Sequence, residues 1–174
     1  MRNCFLLILI GACLAACAPA ADMAQADGTG SATAEAPLDQ RLLDELAVTD
    51  NIWRAREIEE EITVIWRESG SASVDLLMAR AEMALSEGKR DTARELYDRA
   101  ILILPEYVEA WQRRAQMQFE DEAITDAMMD LSRVVEIEPR HFAAWTGLAQ
   151  IFEQVGAEGP ALEAYASALA AHPN

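Results

Sequence analysis

The chain has 174 residues, enough for one domain with its own core, and its 30 acidic against 14 basic side chains give a net charge of -16. That balance repels nucleic-acid phosphates and anionic lipid headgroups, which excludes them as electrostatic partners and leaves basic or apolar ones. All 3 cysteines fall within the first 17 residues, so the rest of the chain holds no disulfide, thiol nucleophile or thiolate metal ligand.

The first stretch, MRNCFLLILIGACLAAC, has one basic residue, Arg2, then an apolar run from Phe5 to Leu14, then small residues. The run is too short to cross ~30 Å of hydrocarbon as a helix. Its basic start, apolar middle and small-residue exit are the layout of a secretory signal over residues 1–16. At the exit, Leu14-Ala15-Ala16-Cys17 resembles the lipobox of bacterial lipoproteins. The resemblance implies cleavage before Cys17, acylation of its thiol and new amino terminus with palmitate-type chains, and a lasting membrane anchor. The alternative makes Cys17 one more small apolar residue of a signal, like Cys4 and Cys13. Ala18 is not aspartate, and by the same resemblance this favours the outer membrane of a bacterial cell envelope, facing the periplasm. Residues 17–37 then contain little to bury and read as a disordered tether, with ends roughly 25 Å apart.

A helix pair is predicted over 38–71. Leu38, Leu42, Leu43 and Leu46 mark the first helix, and Asp50 is placed to cap the second. Ile52, Ala55, Ile58, Ile62, Ile65 and Trp66 form an apolar stripe along the second, and Ser69-Gly70-Ser71 closes it. Glu59 to Glu61 do not make a metal site, since consecutive helical residues diverge by about 100°.

From residue 72 the chain repeats itself. PEYVEAW from Pro105 and PRHFAAW from Pro139 share one frame, and Pro105, Pro139 and Pro173 stand 34 residues apart, the mark of stacked helical hairpins. The third unit reads Trp145-x2-Leu148-Ala149-x2-Phe152, then Ala161-x3-Tyr165, Ala168 and Pro173. The second keeps Trp111, Ala115, Ala127, Leu131 and Pro139, with Arg114 where an apolar residue is usual. The first keeps Ala81, Gly88, Ala93, Tyr97, Ala100 and Pro105, with Leu77 in place of tryptophan. In register and residue type these units resemble the tetratricopeptide repeat.

The resemblance implies an all-α fold, a right-handed α-solenoid of three repeats (72–105, 106–139 and 140–174) preceded by the helix pair. Eight helices are expected, with the pair capping one end of the stack. Facing alanines (Ala81, Ala115 and Ala149 against Ala93, Ala127 and Ala161) allow the helices of each hairpin to approach closely, and the tryptophans serve the core rather than a ligand cage. Truncating either tryptophan is expected to cost about 3 to 5 kcal/mol. No capping helix is expected after Pro173, so Leu162, Tyr165 and Leu169 of the last helix are expected to expose apolar surface that a second copy or a partner covers.

In this family the inner face, lined by the first helix of each hairpin, commonly holds a peptide or partner helix. The corresponding stripe here is Asp75, Met78, Glu82 and Leu85, then Glu109, Gln112, Arg113, Gln116 and Phe119, then Ala143, Thr146, Gln150 and Glu153. Only Arg113 resembles the cationic residues with which some repeats clamp a terminal carboxylate. Catalytic, metal and cofactor roles find no support: His141 and His172 lack second ligands at helical spacing, and Gly156 to Pro160 is a turn, not a phosphate loop. The leading expectation is a membrane-anchored, non-enzymatic adaptor for a protein or peptide partner in envelope assembly. A self-associating structural subunit, possible as a homodimer, is the second, and a hydrolase is a remote third.

Overall fold

The computed structural model describes residues 36–173; the expected signal, Cys17 and the expected tether as far as residue 35 lie outside the described residues. Those described form eight helices and no strand: α1 (Leu38–Leu46), α2 (Ile52–Arg67), α3 (Ala72–Ser86), α4 (Arg90–Ile103), α5 (Val108–Glu120), α6 (Ile124–Ile137), α7 (Phe142–Gln154) and α8 (Glu158–Ala171). None of them is long and apolar enough to cross a membrane.

Three hairpins, α3–α4, α5–α6 and α7–α8, stack through α4 on α5 and α6 on α7. The alanines explain why each hairpin closes. Ala81, Ala93, Ala127 and Ala149 are wholly buried and Ala115 and Ala161 nearly so, so the two backbones of each pair meet across methyl groups alone. Larger apolar and aromatic residues fill the space on either side, with Tyr97 and Met117 among α3–α5 and Leu148, Phe152 and Tyr165 among α5–α8. The α3–α4 and α7–α8 hairpins turn on glycines in the left-handed region, Gly88 (φ 73) and Gly156 (φ 75).

The six-residue step from proline to tryptophan has a direct cause. The Trp111 indole Nε1–H donates to the Pro105 carbonyl at 2.9 Å, and Trp145 donates to that of Pro139 at 2.8 Å. Each bond ties the start of a hairpin to the end of the one before it. Both tryptophans are half-buried, each wedged against the core rather than within it.

Arg114 keeps its place in the interior through a second replacement. It pairs bidentately with Asp130 of α6 (2.7 Å to each oxygen), reaches Asp98 of α4 at 2.5 Å and lies 5.0 Å over the Trp111 ring.

The helix pair departs from expectation in two ways. Asn51, not Asp50, caps α2, its Oδ1 accepting the backbone N–H of Trp53 and Arg54. More consequentially, the pair does not cap the stack end-on. Ala55, Ile58 and Ile62 bury themselves against Leu42, Leu43 and Leu46 of α1, with Ile65, Trp66 and Phe142 of α7 closing the cluster. Further along α2, Trp66 stacks on His141 at 4.2 Å, while the Tyr107 hydroxyl donates to the Arg67 carbonyl at 2.6 Å. Glu59 faces His172, 3.5 Å away. Tyr107 and His141 are the residues just ahead of α5 and α7, so α2 runs across the starts of the first helices of successive hairpins. Arg140 braces the same edge by pairing with Asp44 and Gln40 of α1.

Candidate functional site: a cleft between α2 and the inner helices

Placed across those helix starts, α2 walls one side of the inner face. Between it and α5 and α7 lies a cleft of about 400 Å³. Its apolar lining comes from Ala115, Phe119, Leu131 and Ile151, with Phe142 below α2. Its polar rim is made of neutral groups: Gln112 and Gln116 of α5 and Thr146 and Gln150 of α7. Glu59 of α2 is the charged member of the lining. Gly147 also faces in; a Cβ there would stand 2.9 Å from Leu131 Cδ1, so the glycine lets α7 settle on that leucine.

Six of the residues expected on the inner stripe come together here: Gln112, Gln116, Phe119, Ala143, Thr146 and Gln150. They do so because helical period and repeat period agree, which puts equivalent positions of α5 and α7 side by side. Gln112 brings an open valence, since its carbonyl oxygen is buried without a hydrogen-bond partner.

A smaller hollow of about 230 Å³ adjoins the cleft and shares Gln116 with it; Glu82, Leu85, Tyr97, Arg113, Met117 and Glu120 complete its walls. Burial, with Glu82 and Glu109 nearby, pushes the Tyr97 phenol up to about 12, and its hydroxyl has no partner. Arg113 is held by Glu109 at 2.7 Å, and the carboxylates of Glu109 and Glu82 outweigh its desolvation and keep its pKa raised. Arg90 is likewise committed, to Glu120 at 3.1 Å and to Asp121.

The remaining stripe residues do not line the cleft. Met78 belongs to the core, buried among Val74, Ala81 and Tyr97. Glu109 is buried beside Arg113, with Arg67 3.9 Å away. Asp75 accepts the Ser69 hydroxyl at 2.5 Å and fastens the α2–α3 link. Glu153 accepts the Tyr165 hydroxyl at 2.8 Å. Sequence reasoning missed Glu59, Phe142, Leu131, Gly147 and Ile151. The first two join the site through the docking of α2, for which no periodic signal exists, and Leu131 through the gap above Gly147.

Residues 74–117 match the model of the tetratricopeptide repeat family. A TPR repeat-containing protein of Rhizobium etli is 38% identical over 120 residues, which is 69% of this chain and 59% of that protein, so the chain spans less than two thirds of its relative's length. Among solved structures, MamA superposes with a TM-score of 0.54 at 16% identity, covering 67% of this chain and 66% of that one. The second TPR of Spaghetti (RPAP3), bound to the HSP90 peptide SRMEEVD, also gives 0.54, at 17% identity over 58% of this chain and 94% of that one. These likenesses establish the fold: an all-α solenoid of tetratricopeptide-type hairpins.

Proposed function

We propose that this chain is a non-enzymatic tetratricopeptide adaptor that seats a protein or peptide partner in the cleft between α2, α5 and α7. The observation that carries the reading is the convergence of Gln112, Gln116, Phe119, Thr146 and Gln150 around one apolar-floored cleft. Amide side chains at the rim suit the main chain of an extended segment, and the floor suits an apolar side chain. The peptide bound by the Spaghetti repeat supports a peptide-binding use of this fold. Phe119→Glu and Gln150→Arg are expected to abolish capture of the partner by the full chain, whereas Leu102→Glu, on the exposed side of α4, leaves it intact. Equal loss in all three variants refutes the assignment.

On this reading the adaptor is held at a bacterial envelope membrane through Cys17, facing the periplasm, with the outer membrane favoured, and serves assembly of envelope components. The Leu14-Ala15-Ala16-Cys17 motif supports the anchor. Metabolic labelling with a radioactive fatty acid marks the wild type and leaves Cys17→Ser unlabelled; label on both forms contradicts it.

A second reading, self-association, is favoured by one feature. Leu162 and Leu169 on α8 are 71% and 60% exposed, seven residues apart on one helix face, while Tyr165 packs inward instead. Light scattering decides it: a dimer that Leu162→Asp with Leu169→Asp converts to a monomer supports this reading, and a monomeric wild type rejects it.

A further inference from the structure

The groove reading leaves the chemistry of the occupant open, and the charges around the cleft narrow it. No residue lining the cleft is basic; the nearest cations on α2, Arg56 and Arg67, line a separate surface hollow that shares Glu59. Arg113 is spoken for by Glu109, and Arg90 by Glu120 and Asp121. The chain has a single lysine, Lys89, which pairs with Glu87 at 2.6 Å, outside the cleft. Helix α7, which supplies one whole wall, carries no basic residue.

Negative charge, by contrast, is placed at both ends of the path. Glu59 lines the cleft beneath α2, facing His172. Glu82 and Glu120 line the adjoining hollow against one lining cation, Arg113, which Glu82 reaches electrostatically without a salt bridge. Gln116 is common to cleft and hollow, so a strand-like segment crossing it passes from one carboxylate toward the other. Between them lies the apolar floor of Phe119, Ala115 and Leu131.

Building on the groove reading, we propose that the cleft selects an extended peptide segment in which apolar side chains are flanked by lysine or arginine, the opposite charge preference to a clamp for acidic termini. The apolar side chain supplies most of the affinity through burial, and the flanking cations set the choice among peptides. The net charge of -16 draws such segments in at low ionic strength.

The test titrates the full chain against three fluorescein-labelled eight-residue peptides that share a central Leu-Phe pair and differ in flanks of lysine, serine or glutamate. Fluorescence anisotropy is expected to show the lysine peptide binding about tenfold more tightly than the glutamate peptide at low salt. Raising the salt narrows the gap. Glu59→Gln and Glu82→Gln, singly and together, close it progressively, and because Glu82 is exposed its variant keeps the fold, which circular dichroism checks. Glutamate flanks binding as tightly as lysine, or a gap unchanged in the double variant, overturns the charge preference while leaving the groove reading in place. Failure of all three peptides to bind, or binding indifferent to Phe119→Glu, overturns both.

Discussion

Single side chains carry the joints of this molecule. Each indole N–H of Trp111 and Trp145 bonds a proline carbonyl at a hairpin junction, so Trp145→Phe keeps an aromatic ring but removes one bond and part of the indole's packing. At least about 1 kcal/mol of stability should be lost, read from urea unfolding. Asp130 raises the larger stake. Its side chain is 6% exposed beside Arg114, and Asp130→Ala leaves the guanidinium buried with only the more exposed Asp98 as counter-charge. A loss of about 3 to 5 kcal/mol is expected, and the pair Arg114→Leu with Asp130→Leu should cost much less, because it removes both charges together. If the double variant is as unstable as the single one, the ion pair is not the cause.

His141 links the same scale to pH. Its Nδ1 accepts the Ala144 N–H, its Nε2 is buried without a partner, and desolvation under Trp66 lowers its pKa to about 4. A neutral imidazole in the fold and a protonatable one in the unfolded chain give stability that is complete above pH 6.5 and is lost as pH falls from there to about 4. The contribution is about 3 kcal/mol. Over that interval the stability of wild type relative to His141→Asn, which retains a capping oxygen, should fall by this amount. A difference independent of pH contradicts the account.

At the scale of elements, the three hairpins were legible because their determinants recur: facing alanines, the proline-to-tryptophan step and the 34-residue period all repeat in the chain itself. The convergence of Gln112, Gln116, Phe119, Thr146 and Gln150 was legible for the same reason. Helix α2 was not. Its own periodicity correctly marked Ala55, Ile58 and Ile62 as buried, but where it docks depends on Trp66 meeting His141, 75 residues on, and on Tyr107 meeting Arg67, 40 residues on. Neither pairing leaves a pattern in the sequence. Met78 was misassigned because the inner face and the core of α3 are adjacent stripes, and a flexible apolar side chain fits either. Trp66→Ala removes the stacking partner of His141 and should release α1 and α2 while the hairpins persist. Hydrogen exchange is expected to quicken across 38–67 and stay slow in α3 to α8; uniform quickening would mean that the pair and the hairpins unfold as one unit.

For the molecule as a whole, composition set the limits and geometry filled them. The acidic balance also explains why the cleft is lined by a carboxylate and amides but by no basic residue. Alanine-based hairpins supply a rigid frame, and the one element outside the repeat, α2, turns a plain inner face into a cleft with two walls and a floor. On the proposed reading, function resides in shape and charge around that cleft.

The most direct measurement places a photo-crosslinking amino acid, one position at a time, at Phe119, Gln150, Glu59 and Leu102 of the full chain in its own cells. The account predicts a single crosslinked partner from the first three positions, which face the cleft from α5, α7 and α2, and none from Leu102. The same partner captured from Leu102 alone, or from Leu162 and not from the cleft, would contradict it.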